Sequence, residues 1–258
     1  MSEVFMSPQS RRLAYARSPG TGPWVVFLGG FRSDMQGTKA LWLEDWARAQ
    51  GRAFLRFDYS GHGESGGVFA EGTISKWLDE SVAVLRRLTQ GPQVLVGSSM
   101  GGWIALRLIE ELRKGGEGAR IAGLVLLAPA PDFTFDLIEP SLTTGQRQNL
   151  EEKGYFEEQS EYSSDPNIYT RALLEDGREN RVLTGPIDTH CPVHILQGMA
   201  DPDVPHEHAL KLAALLPADD LTLSLIPGGD HRLSRPQDIA LLLRTVEEVM
   251  AQAQAKEI

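Results

Sequence analysis

A single cysteine, Cys191, is the whole thiol content of the chain; it excludes an internal disulfide and points to a reducing compartment. No apolar run approaches the ~18 residues that a membrane-spanning helix needs. The opening stretch, MSEVFMSPQSRRLAYARS, lacks the apolar core of a secretory leader. Its arginines are those of a transit peptide only in part, since Glu3 opposes one, and little chain precedes the first strand. These features together lead us to expect a cytoplasmic protein. Positive charge is in deficit, with 25 Lys and Arg against 35 Asp and Glu and a formal net charge of −10. That balance argues against binding to nucleic acid or to an anionic membrane surface. Internal repeats and low-complexity tracts are absent, and nothing in the sequence speaks to oligomeric state.

What is present is a rhythm. Short apolar strands are predicted at Trp24–Leu28, Ala53–Phe57, Gln93–Val96, Ile121–Leu127, Pro192–Leu196 and Leu221–Ile226. Between or after them, apolar residues recur at helical spacing over Lys39–Ala49, Ser75–Leu88, Trp103–Leu112, His208–Leu216 and Pro236–Ala251. In the first helix Leu41, Trp42, Trp46 and Ala49 form the expected inner stripe, and in the second Ser75 is the expected N-cap. A hairpin is expected around Arg11–Arg17. Alternation of this kind means an α/β fold with a mostly parallel sheet covered by helices on both faces. The chain length of 258 residues suits one such domain with an insertion. Residues 133–190 contain no strand candidate, and a gap of that length in a compact domain is not a bare loop. We expect a core of residues 1–132 and 191–258 and a helical cap insertion over 133–190.

One turn carries chemistry. In LVGSSMGGW, residues 95–103, the pattern Gly97-Ser98-Ser99-Met100-Gly101 joins a strand to a helix. Small residues two before and two after a serine let the backbone turn sharply enough to display its hydroxyl at the strand end. Ser98 is the filler position, its side chain pointing away. The same pattern recurs at Gly63-Glu64-Ser65-Gly66-Gly67, but Ser65 follows a polar turn and starts no helix. Context therefore selects Ser99.

A serine hydroxyl needs a base, and the base an orienting carboxylate. Of six histidines, His231 follows the last strand after the turn PGGD, at the sheet edge where ligands bind. His62 lies in the loop of Ser65; His190 and His194 belong to the fifth strand's surroundings; His206 and His208 open a helix. HILQGMADPDVP offers Asp201 and Asp203 after the fifth strand, and Asp201 is the expected acid, with Asp230 shaping the loop of His231. His206, His208 and Asp203 match no metal-ligand spacing. Backbone N–H groups of Met100 and Phe31, the latter after the glycines of VVFLGGFRSD, are expected to form an oxyanion hole. The inferred reaction needs no cofactor.

LGGF, FDYSGHGES, GSSMGGW, GMADPDVP and GGDHR, in that order, resemble the α/β-hydrolase superfamily over nearly the whole chain. More narrowly, GTKA, RFDYSGHGES, GPQVLVGSSMGGW, CPVHILQGMADPDVP and DHRL resemble the mitochondrial palmitoyl-protein thioesterases that also cleave an acyl glucuronide, and their bacterial relatives. The resemblance implies a Ser99–Asp201–His231 triad acting on small-molecule acyl esters or thioesters. C–C bond hydrolysis and a non-catalytic ligand-binding role on the same fold stay open. In the insertion, Tyr155, Phe156, Tyr162 and Tyr169 are candidates to line an acyl channel. Arg171, Arg178 and Arg181 are candidates to meet an anionic leaving group or to lie on the surface.

Overall fold

The computed structural model describes residues 2–160 and 165–255. The strands are β1 (Glu3–Met6), β2 (Arg12–Ser18), β3 (Thr21–Leu28), β4 (Arg52–Phe57), β5 (Gln93–Ser98), β6 (Ile121–Leu127), β7 (Tyr155–Glu158), β8 (Asn167–Thr170), β9 (Val193–Gly198) and β10 (Leu221–Ile226). Eight of them form one sheet in the order β1-β2-β4-β3-β5-β6-β9-β10. From β4 to β10 every neighbouring pair is parallel, while β1 and β2 add an antiparallel edge. The expected fold class stands.

The helices are α1 (Thr38–Ala49), α2 (Ile74–Leu88), α3 (Met100–Lys114), α4 (Glu139–Ser141), α5 (Thr144–Glu152), α6 (Arg171–Glu179), α7 (His206–Ala213) and α8 (Pro236–Ala255). Strand side chains alternate between faces, and the two cores follow that period. Val25, Phe27, Val94, Val96 and Val125 pack against Ala40 and Leu43 of α1 and Leu242, Val246 and Val249 of α8. Val26, Leu28, Leu95, Leu124 and Leu126 face Trp77 of α2 and Trp103 of α3, both fully buried. No helix among the described residues is long and apolar enough to cross a membrane.

Two local expectations are corrected. The buried stripe of α1 is Ala40, Leu43, Glu44 and Ala47, whereas Leu41 and Trp42 are exposed. The register is rotated because Glu44, polar in sequence, turns inward to the Arg56 guanidinium at 2.8 Å and the Ser18 hydroxyl at 3.1 Å. A buried charge is tolerated when it is paired and hydrogen-bonded. Helix α2 is capped by Thr73, whose hydroxyl accepts the Lys76 N–H, and Ser75 falls in the first turn.

Between β6 and β9 the chain leaves the sheet. The described residues of 133–190 carry the short helices α4, α5 and α6, with one addition that their polar, irregular pattern concealed: β7 and β8 pair as a two-stranded antiparallel ribbon. Both ends of the excursion are fastened. Pro131 offers its carbonyl to His208 Nε2 at 2.7 Å. The next residue, Asp132, is fully buried and accepts the Val182 and Leu183 N–H groups, each at 2.8 Å. Trp103 Nε1 donates to the Asn180 carbonyl, Asn180 to Ser75 Oγ, and the Ser75 N–H to Asp176, so the segment docks on α2 and α3.

Asp132→Ala strands the buried Leu183 N–H and the half-buried Val182 N–H, and a buried donor left without an acceptor costs about 1–3 kcal/mol. The variant is expected to lose about 2–5 kcal/mol in urea unfolding, and Asp132→Asn, which keeps an acceptor, less than half of that.

Candidate active site

The strand order puts the C-terminal ends of β3, β5, β6 and β9 side by side; Gly97 is level with Leu28 on one side and Leu126 on the other. At this edge β5 hands over to α3 through Ser99, held at φ 54°, ψ −119°. That backbone conformation is sparsely populated for a residue with a side chain and costs of order 1–3 kcal/mol. Contacts on both sides hold it. The Ser99 N–H donates to the Leu127 carbonyl at 2.9 Å, and the Ser99 carbonyl accepts from Gly102 and Ala130. The flanking glycines are obligatory: a Cβ on Gly97 would lie 2.6 Å from the Gly101 carbonyl oxygen, and one on Gly101 2.1 Å from that of Leu28.

Two further loops converge on Ser99. Gly198 at the end of β9 and Gly229 after β10 touch backbone to backbone, a Cβ on Gly198 falling 2.3 Å from the Gly229 oxygen. Close approach of those strand ends brings Asp201 and His231 together. His231 Nδ1 lies 2.8 Å from Asp201 Oδ2 and its Nε2 3.0 Å from Ser99 Oγ. Asp201 is sealed from solvent and the imidazole is mostly so. Each carboxylate oxygen of Asp201 has two hydrogen-bond partners. Oδ1 accepts the Asp203 and Val204 N–H groups at 2.9 Å; Oδ2 accepts from His231 and from Gln197 Nε2 at 3.2 Å. Four donors converge on this one carboxylate and fix its position and orientation. A hydroxyl bonded to an imidazole that is bonded to a carboxylate can give up its proton while attacking an electrophilic carbon.

Across from Ser99, the loop after β3 presents Gly30, where a Cβ would meet the Ser99 Cβ at 3.2 Å. Ser33 Oγ accepts the Gly30 N–H at 2.7 Å and donates to the Gly30 carbonyl at 2.9 Å. The peptide unit is planar and trans, so fixing the Gly30 carbonyl also fixes the opposed Phe31 N–H. That N–H has no acceptor among the described residues. Met100 occupies the first helical position, where no earlier turn supplies a carbonyl for its N–H.

The other expectations sort themselves by contact. Ser65 Oγ donates to the Asp58 carbonyl and accepts the Ala14 N–H, a brace remote from the imidazole. Asp230 accepts the Leu233 N–H and shapes the His231 loop. His208 is committed to Pro131, so the His206–His208–Asp203 grouping does not form. Asp201, Asp203 and His231 do come within 4.8 Å of one another, but a cation there would displace the His231–Asp201 hydrogen bond. Arg178 pairs with Glu139, Arg171 donates to Leu150 and Glu151 carbonyls, and Arg181 lies 3.9 Å over the Phe135 ring. All three brace the insertion. Tyr169 stacks on Phe31 at 5.3 Å and on the buried Phe156 at 5.1 Å, while Tyr155 is exposed and Tyr162 lies outside the described residues.

The model of the alpha/beta hydrolase family matches residues 25–240. The chain belongs to that family. The hydrolase is 33% identical over 245 residues to the protein named palmitoyl-protein thioesterase ABHD10, mitochondrial, of Bos taurus, covering 94% of this chain and 78% of that one. The human protein of the same name is 32% identical over 245 residues, with the same coverage. Among solved structures, mouse alpha/beta hydrolase domain-containing protein 10 superposes with a TM-score of 0.87 at 31% identity, covering 97% of this chain and 98% of that one. A protein of Agrobacterium vitis S4 reaches 0.94 at 55% identity over 97% and 98% of the two chains. These names correct the expected cytoplasmic location, since the curated relatives are mitochondrial proteins. A lone cysteine shows only that no internal disulfide forms, and that condition does not single out the cytoplasm.

Gln197 and His62 were not singled out as site residues in the sequence. A polar residue directly after the predicted apolar strand 192–196 was the available signal for Gln197, which the structure buries within β9. His62 sits 3.2 Å from the Arg32 N–H, and burial with the nearby Arg32 guanidinium pushes its ring down to about 4, against a weaker opposite pull from the Ser60 carbonyl and Asp34. Between pH 4 and 6.5 the unfolded chain therefore binds a proton that the folded ring refuses. Stability rises with pH across that window and is lost as pH falls through it, by roughly 3 kcal/mol at most. Urea unfolding from pH 4 to 7 is expected to show this slope in the wild type and a flatter one in His62→Gln.

Proposed function

We propose that this hydrolase cleaves acyl esters or thioesters of small molecules through an acyl-enzyme on Ser99. The observation that carries the reading is the unbroken hydrogen-bond chain Ser99–His231–Asp201, at 3.0 and 2.8 Å. In the first half-reaction Ser99 Oγ attacks the acyl carbon while His231 Nε2 takes the hydroxyl proton. The carbonyl electron pair moves onto oxygen, where the Phe31 and Met100 N–H groups meet it. Collapse of that adduct re-forms the carbonyl, breaks the bond to the leaving alcohol or thiol, and sends the proton from His231 to the departing oxygen or sulfur. Water then repeats the sequence, releasing the carboxylic acid and restoring Ser99. Asp201 holds the imidazole with Nδ1 protonated and stabilises the imidazolium that forms.

The inclusion of thioesters rests on similarity to proteins named palmitoyl-protein thioesterase at about one third identity. We assign residues 1–132 and 191–258 to the catalytic core and 133–190 to a cap. The stack of Tyr169 on Phe31 supports a cap whose ribbon adjoins the loop beside Ser99, and we assign Tyr169 and Phe156 to the side that the acyl group would meet.

A fluorophosphonate probe is expected to label the wild type and to leave Ser99→Ala unlabelled; equal labelling of the two discards the assignment. On p-nitrophenyl esters and acyl thioesters, Asp201→Asn is expected to lower kcat by about 10³- to 10⁴-fold with little change in KM. A panel in which a dienone is cleaved faster than any ester or thioester overturns the substrate class.

A further inference from the structure

The geometry assigns to His62 the part of a positioning residue: its neutral imidazole holds the Arg32 N–H and thereby keeps the adjoining Phe31 amide aimed at the substrate's carbonyl oxygen. The inference rests on the reading of Ser99 as nucleophile, because only then does the Phe31 N–H face a developing negative charge.

The loop does not hold itself. Arg32 has φ +57°, a left-handed conformation that a residue with a side chain leaves unless neighbours oppose it. Ser33 secures the entry side through both polar groups of Gly30. On the exit side, the Arg32 N–H has one acceptor, His62 Nε2 at 3.2 Å. Phe31 thus lies between two anchored peptide planes, and the second anchor comes from a different part of the chain.

The chemistry of the ring suits the task. A backbone N–H only donates, so Nε2 must carry a lone pair and the ring proton must sit on Nδ1. Nδ1 lies 3.2 Å from the Ser60 carbonyl, which accepts that proton. One tautomer therefore satisfies both contacts. Tyr59, Phe69 and Trp77 surround the ring at centroid distances of 5.6, 5.1 and 5.2 Å and block its rotation. The same motif reaches the loop twice more: Asp58 Oδ1 accepts the Met35 N–H at 2.6 Å, and Arg56 Nη1 donates to the Met35 carbonyl at 2.8 Å. RFDYSGHG is the bed on which residues 32–35 lie. A role confined to filling the aromatic cluster would need neither the lone pair nor the tautomer.

The experiment compares His62→Leu, His62→Asn and His62→Gln with wild type and Ser99→Ala. Leucine has no acceptor, and the asparagine amide stops short of Arg32; the glutamine oxygen reaches about as far as Nε2. Each folded variant is assayed for kcat and KM on a short-chain p-nitrophenyl ester, for thermal midpoint, and for affinity toward an alkyl boronic acid, whose serine adduct carries a tetrahedral oxyanion. His62→Leu and His62→Asn are expected to lose about 10- to 100-fold in kcat, with boronate affinity falling in parallel and KM nearly constant. His62→Gln is expected to recover most of both losses. Unchanged kcat and boronate affinity in His62→Leu or His62→Asn, or a His62→Gln variant as impaired as His62→Leu at equal thermal midpoint, overturns the proposal. An active Ser99→Ala variant instead overturns the reading on which it rests.

Discussion

The turn at Ser99 is the constraint around which this molecule is arranged. A strand must end, reverse into a helix and leave a hydroxyl standing above the sheet, all within one residue at φ 54°. Such a turn is possible only because the backbones at Gly97, Gly101 and Leu28 approach more closely than any Cβ would allow. The stored strain is of order 1–3 kcal/mol, small beside two hydrophobic cores but far too large for an isolated peptide to hold. The sheet holds it through Leu127, and the loop after β6 through Ala130. A strained turn gripped on both sides is a rigid one, and rigidity is what a proposed nucleophile needs.

Around the turn, charge is handled by anchoring rather than by exposure. Asp201 lies out of solvent yet accepts four hydrogen bonds, two of them from the main chain that follows it. The carboxylate therefore stays where the imidazole meets it. Glu44 and Arg56 repeat the device beneath α1, and Arg56 extends it to the loop of Met35. Buried ionic groups of this kind do not add much stability over apolar ones, but breaking one partner is costly, which locks the geometry. On the opposite side of Ser99 the same logic holds without charge: Ser33 and His62 tie down the peptide units on either side of the Phe31 amide.

The insertion joins this scheme through aromatic contact. Tyr169 stacks on Phe31 and Phe156 stacks on Tyr169, so the ribbon of β7 and β8 leans on the loop beside Ser99. Arg171, Arg178 and Arg181 serve the insertion's own integrity. The proposed cap is therefore coupled to the loop whose amide is proposed to bind the oxyanion.

The apolar alternation of the chain already determined an α/β sheet, and glycine spacing pointed to the elbow at Gly97–Gly101 and to Ser99 rather than Ser65, because each depends on neighbours in sequence. Strand periodicity and glycine spacing are local properties. What tertiary structure alone decided is whatever depends on a partner far along the chain. Glu44 turns inward because Arg56, twelve residues on, waits there, and His62 gains its meaning from an N–H thirty residues away. The ribbon of β7 and β8 is illegible for the same reason, since a short polar strand is defined by its pairing and not by its pattern. Ser99, Asp201 and His231 were each named from local context, but their meeting is a property of the strand order, which packing settles.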